Sequence, residues 1–260
     1  MSEVVLVSRE GGIVTVSLNR PERMNALNKA VWQALGDIFL DLAKDETVRC
    51  VVLRGQGTKA FAPGADIEEF DTDRADASQA EAYDLLMRRA LSAVRECPHP
   101  TIALIFGPCV GGGLELACQC DLRIAGEGAR FGVPINRIGV VMAYPEIEGI
   151  MRLIGPARTT EILLEGRVLP ATDALRMGLL NRVTADIDLE GDVFATALRI
   201  ANGAPLVNRW HKRFIRRLVE DQTPITGEES AECYRFLETA DYREGITAFK
   251  AKRTPEFSGK

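Results

Sequence analysis

The chain predicts a layered α/β fold followed by a helical C-terminal region. Strand-like and helix-like patterns alternate through its first three quarters, and strand signals stop near Ala195. Of its 260 residues 46% are apolar and 27% charged, the balance of a globular protein long enough to bury a large core. The expected division is a core over residues 1–194 and a helical region over 195–260.

The elements follow in order. "VVLVS" and "GIVTVSLNR" are two β-rich runs separated by Glu10, Gly11 and Gly12, which predicts a hairpin. After the turn "RPERMNALN", Val31, Leu35, Ile38 and Leu42 recur at helical spacing, and "VRCVVLRG" is a short buried strand. Segment 67–80, "IEEFDTDRADASQA", is acidic and Ala/Ser-rich and predicts a mobile loop. Residues 81–96 then predict a helix, "TIALIFG" a strand, "GGLELACQC" a helix and "LRIAG" a strand. Beyond Ala195, "FATALRIANGA", "NRWHKRFIRRLVE", "ESAECYRFLET" and "DYREGITAFKAKR" are helical, with apolar positions that need a partner surface on the core or on another subunit.

A net charge of -5 without a long basic run argues against nucleic-acid binding. The N-terminus lacks the basic-then-apolar pattern of a signal peptide, and no apolar run approaches the roughly 20 residues that span a bilayer. The expectation is a cytoplasmic protein with no membrane contact. Cysteines 50, 97, 109, 118, 120 and 233 lie mostly in apolar surroundings, as reduced buried thiols do. Cys118 and Cys120 point apart on a helix and have no histidine near them, so no metal site is expected.

The stretch "GPCVGGGLELACQC", residues 107–120, places three glycines beside Glu115 in an otherwise apolar run. A phosphate-binding P-loop would close on Gly-Lys-Ser/Thr, but Leu114 and Glu115 follow Gly113; a dinucleotide fingerprint would need glycine at Leu116. Two uses remain. Either the glycines let helices pack closely, or they bring unpaired first-turn N–H groups against a ligand that develops negative charge. In "KAFAPGADIEEF", residues 59–70, Pro63 and Gly64 force a turn that leaves the N–H of Ala65 without an obvious partner. Two such donors suit a thioester carbonyl that becomes an enolate.

Together these stretches resemble the crotonase superfamily, the enoyl-CoA hydratase/isomerase family. "LNRPERMNALN", "FAPGADIEEF", "GPCVGGGLELACQCDLRIA", "FGVPINRIGV" and "ATDALRMGLLNRV" match its successive motifs in order, and "AFKAKRTPEF" matches its usual ending. The resemblance implies a crotonase-type spiral of repeated strand-strand-helix turns with a C-terminal helical trimerisation region, assembled as a homotrimer or a dimer of trimers. It assigns the oxyanion-binding N–H groups to Ala65 and Gly112 and acid/base work to Glu115. It also implies coenzyme A contacts at Arg23, Met24, Ala62, Gly64, Asp66, Arg253 and Phe257, with Arg20 a further partner for phosphate. Each of these arginines is otherwise a solvated surface charge.

The sequence departs from the hydratase pattern at the second glutamate of the family, whose place is taken by Ile135. The place about eight residues on, where some isomerases and dehalogenases carry an acid, holds Ala143. Ile135 and Ala143 are expected in the acyl pocket, and Tyr144 and Glu146 are the nearby candidates for a second acid or a substrate contact. Glu146 could instead lie on the outer face of the following helix, and Glu115 could be a structural hydrogen-bond partner. His99, in a "CPHP" turn, and His211, among basic residues, are expected to be structural or solvated.

The expected function is that of an acyl-CoA enzyme, either hydrating a 2-enoyl-CoA or moving a double bond. Alternatives are decarboxylation or thioester hydrolysis on the same scaffold, or an acyl-CoA-, protein- or RNA-binding member without efficient turnover. No cofactor is expected, since coenzyme A is part of the substrate.

Overall fold

In a computed structural model, which describes residues 3–73 and 75–260, nine strands appear among the described residues. Six form one sheet in the order β1 (Val5–Glu10), β2 (Ile13–Leu18), β3 (Cys50–Gly55), β4 (Thr101–Ile105), β6 (Leu122–Gly126) and β9 (Arg182–Thr184). The β1–β2 pair is the predicted antiparallel hairpin, and every later pair in this sheet is parallel. The smaller sheet orders β5 (Pro108–Val110), β7 (Arg130–Gly132) and β8 (Leu169–Pro170).

The apolar runs of β3 and β4 are continuous because helices cover both faces of the sheet. Alternate side chains separate cleanly, with Val51, Leu53, Ala103 and Ile105 entering the larger core and Cys50, Val52, Ile102 and Leu104 a smaller one. The larger core takes Val31, Leu35 and Leu42 from α1 (Lys29–Leu42), with Ile38 packed against it, as their helical spacing predicts, and Trp32 and Phe39 besides. The short α2 (Phe70–Asp73) precedes α3 (Ala77–Glu96), which adds Tyr83, Met87, Leu91 and Val94 to the same core. Leu189, Val193 and Ala197 of α7 (Leu189–Ala201) close the smaller core.

Between these lie α4 (Gly112–Ala117), α5 (Tyr144–Glu165) and α6 (Ala171–Met177). The C-terminal helices are α8 (Pro205–Glu220), α9 (Gly227–Glu232) and α10 (Ala240–Ala251). Beyond α10 the tail folds back on the start of that helix, where the Asp241 carboxylate accepts the N–H groups of Ser258 and Gly259. No helix among the described residues is long and apolar enough to cross a membrane.

Segment 67–80, expected as a mobile loop, is mostly helical; residue 74 lies outside the described residues. A 3-10 turn spans Ile67–Glu69, α2 follows, and α3 starts at Ala77 rather than near 81. The Asp76 carboxylate caps α3 by accepting the Gln79 N–H, and Glu69 accepts the Lys29 N–H at 2.9 Å. Ion pairs Arg23–Glu68 and Lys29–Asp73 tie the segment to the chain around α1. Its low apolar content thus reflects tethering by polar groups.

His99 is 1% exposed, and its Nε2 donates to the Leu42 carbonyl at 2.9 Å. Desolvation by burial pulls its pKa from 6.5 down to about 4. The unfolded chain therefore binds this proton between those values and the folded chain does not, so stability falls as pH drops. Denaturant unfolding at pH 7 and pH 4 should show a loss of about 3 kcal/mol from this residue, absent in His99→Gln.

Candidate active site

The site forms beyond the C-terminal ends of β3 and β4, where two turns meet. The first runs Ala62–Ala65. Ala62 bridges Cys109, donating its N–H to the Pro108 carbonyl and accepting from Val110 N–H. Ala65 bridges Leu27, whose N–H donates to the Gly64 carbonyl while Asp66 N–H donates to the Leu27 carbonyl. Those bonds use the groups on either side of Ala65, so its own N–H points the other way, and it has no backbone acceptor among the described residues.

The second turn is the glycine run. Gly111, at φ 52°, caps α4, so Gly112 opens the helix with a first-turn N–H that has no intrahelical acceptor. Gly113 has a different task. A methyl group there would sit 2.2 Å from the Ala62 carbonyl oxygen, so only glycine lets α4 lie against the first turn. The two turns touch, since a methyl on Gly64 would lie 3.8 Å from Gly112 N. Close packing is thus shown at Gly113, and it leaves the free first-turn N–H of Gly112 beside the first turn.

A cavity of about 360 Å³ opens beside these donors. Gly64, Ala65, Gly112, Glu115, Ile135, Ala143 and Glu146 all line it, with Trp32, Met87 and Met142 among its apolar walls. Its ionisable lining groups among the described residues are Asp84, Glu115, Arg137 and Glu146. Glu115 is 7% exposed and stands three residues after Gly112, on the helix face that Gly112 shares. Helical side chains lean toward the N-terminus, which carries its carboxyl toward the donor pair.

Glu146 lies in the first turn of α5 and is 2% exposed, so it does not occupy an outer face. It shares a stripe with the buried Gly149, Ile150 and Ile154, a spacing visible in the sequence. Arg88 of α3 reaches it, Nε to Oε1 at 3.3 Å, and lies 3.7 Å from Asp84. The other oxygen, Oε2, is buried with no hydrogen-bond partner among the described residues. Tyr144, two residues earlier, is 91% exposed and outside the cavity, because the inward stripe starts at 146.

Several expected coenzyme A contacts are occupied otherwise. Ala62 is fully buried, with both backbone groups committed to the Cys109 bridge. Asp66 forms an ion pair with Arg20 at 2.7 Å, both largely buried. Burial alone would raise the Asp66 pKa, but the Arg20 hydrogen bond, the Glu68 N–H and the charges of Arg20 and Arg23 outweigh it and hold it below the usual range. Arg20 and Asp66 therefore brace the first turn. Arg23 pairs with Glu68 at 2.7 Å and, like Met24, stands exposed on the adjoining turn.

Arg253 and Phe257 lie outside the cavity. Arg253 is neutralised by Glu244 through two bonds of 2.6 and 2.8 Å, and Phe257 lies against α10 near Gly245. Arg49, which holds the Phe257 carbonyl, immediately precedes β3, at the opposite end of that strand from the cavity. The residues that motif reasoning missed are Trp32, Asp84, Arg88 and Arg137. Asp84 and Arg88 are four apart on α3 and mark one helix face, but nothing local says that this face meets the glycine helix.

Among the described residues no group of His, Cys, Asp or Glu side chains is arranged to hold a metal ion. All six cysteines are free thiols, five of them buried, and burial pushes the Cys50 and Cys118 pKa values up to about 12. The five buried thiols are inert packing groups.

The family model for enoyl-CoA hydratase/isomerase matches residues 8–260. A probable enoyl-CoA hydratase of Mycobacterium tuberculosis is 35% identical over 258 residues, covering 98% of each chain. A crotonyl-CoA hydratase of Syntrophomonas wolfei is 32% identical over 261 residues, covering 99% of each. Among solved structures, an enoyl-CoA hydratase/carnithine racemase from Magnetospirillum magneticum superimposes with a TM-score of 0.98 at 58% identity, covering 100% of this chain and 97% of that one. Enoyl-CoA hydratase from Bacillus anthracis does so with a TM-score of 0.92 at 31% identity, covering 99% and 100%. With this fold, and with the glycine helix and the Ala62–Ala65 turn joined as described, the chain belongs to the enoyl-CoA hydratase/isomerase family and is an enzyme of that lyase and isomerase kind.

Proposed function

We propose that the chain acts on enoyl-CoA thioesters, hydrating a 2-enoyl-CoA or shifting a double bond, with a thioester enolate as the shared intermediate. The observation that carries this reading is that Ala65, Gly112 and Glu115 line one largely apolar cavity, the two N–H groups having no backbone acceptor among the described residues. The thioester oxygen lies between the two donors, and the acyl chain runs along Ile135, Met142 and Ala143. Charge that develops on that oxygen in the transition state meets fixed donors and the positive end of α4, and one such donor is worth about 2.7 to 4 kcal/mol. Glu115 exchanges a proton with C2, the atom next to the carbonyl carbon. Coenzyme A enters as part of the substrate, its phosphates near Arg23 at the exposed turn.

The reading includes a homotrimer or dimer of trimers formed through the C-terminal helices, supported by exposed Leu237, Ile246 and Phe249. It places the protein in the cytoplasm, supported by its six unpaired cysteines.

The test is an assay of the purified chain with a short 2-enoyl-CoA and a 3-enoyl-CoA, followed by mass spectrometry. A 3-hydroxyacyl-CoA from the first or a 2-enoyl-CoA from the second is expected. Release of free coenzyme A would favour a hydrolase, and binding without turnover a member that only binds acyl-CoA.

A further inference from the structure

Resting on that reading, we infer that Glu146 is the second catalytic carboxylate of this site and that Arg88 is its positioning residue. The position at which relatives carry the second glutamate holds Ile135, which moves no proton. Glu146 reaches the same cavity from a different element, the first turn of α5.

Three observations carry the assignment. Glu146 is 2% exposed, a costly place for a carboxylate without compensation. Its compensation is one-sided: Arg88 holds Oε1, while the buried Oε2 has no donor from the described residues. A buried acceptor oxygen in that state, on a residue that lines the cavity, is left for a donor that enters with the ligand, and a water O–H is one. Arg88 also faces Asp84, so a single cation spans two of the acids on this wall and keeps the Glu146 carboxyl from turning away.

The division of labour follows from placement. Glu115 shares a helix face with Gly112 and so stands near C2, whereas Glu146 enters from another wall, toward C3. At the start of hydration the two carboxyl groups hold one proton, on Glu115. As water forms its bond to C3, the C2–C3 π pair moves through C1 onto the thioester oxygen, and the water proton passes to Glu146 Oε2. When the enolate collapses, the Glu115 proton bonds to C2. Water has added across the double bond, and the pair still holds one proton, which returns to Glu115 through solvent before the next turnover.

The experiment compares the full-length native protein with Glu146→Gln, Glu115→Gln, Arg88→Met and Arg88→Lys. Glu146→Gln should lower kcat for hydration about 100-fold or more, the usual scale of a lost acid/base, with KM within about threefold. It should still exchange the C2 proton of a saturated acyl-CoA in deuterated water, which Glu115→Gln should not. Arg88→Met should lower kcat about tenfold at unchanged KM, and Arg88→Lys should recover most of it. Tyr144→Phe, outside the cavity, should match the native protein. A Glu146→Gln kcat within threefold of native overturns the inference and leaves the Glu115 reading standing. A fall in kcat matched by equal falls in coenzyme A affinity and Tm also overturns it, since that is structural damage. No turnover by the native chain overturns the underlying reading and this inference with it.

Discussion

Glu115→Gln should lower kcat for either enoyl-CoA reaction by about 10²- to 10⁴-fold, the range expected when a positioned acid/base is removed. Glutamine fills the same space on α4 and keeps a polar tip in a site that is 7% exposed, so the fold should survive. Since Ala65 and Gly112 still hold the thioester oxygen, KM should change little, and the loss should appear in kcat and in C2 proton exchange alike. Steady-state kinetics with exchange in deuterated water measures both. A variant that keeps native exchange would remove Glu115 from its assigned role.

Gly113→Ala should have the second large effect, although residue 113 supplies no assigned donor. Its added methyl would stand 2.2 Å from the Ala62 carbonyl oxygen and 3.0 Å from its carbon, both backbone atoms fixed by the Cys109 bridge. Helix α4 must then retreat from the first turn. Overpacking of this kind costs about 1–3 kcal/mol, which denaturant midpoints would register. The retreat also separates the Gly112 donor from Ala65, and loss of one such donor lowers kcat by about 100-fold or more. Gly112→Ala is the contrasting case. Its methyl would meet the Trp32 ring edge at 3.3 Å, a side chain with some room to shift, so the stability loss should be smaller. Equal stability of Gly113→Ala and native protein would refute the packing argument.

Much of the framework was legible locally. The hairpin followed from two alternating runs around Gly11 and Gly12, and the buried strands from "CVVLRG" and "TIALI", whose two faces feed two cores. Segment 67–80 was misjudged because its stability comes from contacts distant in sequence, Glu68 with Arg23 and Asp73 with Lys29. The short strands β5, β7 and β8 went unseen, being two or three residues long and paired with partners distant in sequence.

The sequence by itself pointed to the proposed donor pair and its acid, because glycine and Pro-Gly turns act through backbone geometry over a few residues and Glu115 lies one turn from Gly112. Only the tertiary structure decided which of the candidate acidic side chains faces the cavity. Ile135, Ala143, Tyr144 and Glu146 lie within twelve residues, and their spacing alone does not say which one faces the cavity. That depends on how α5 seats Gly149, Ile150 and Ile154 in the core and on Arg88, which reaches Glu146 across 58 residues of sequence. The same dependence sets where Arg253 and Phe257 lie within the chain, since the tail folds back onto α10 at the end of β3 away from the cavity.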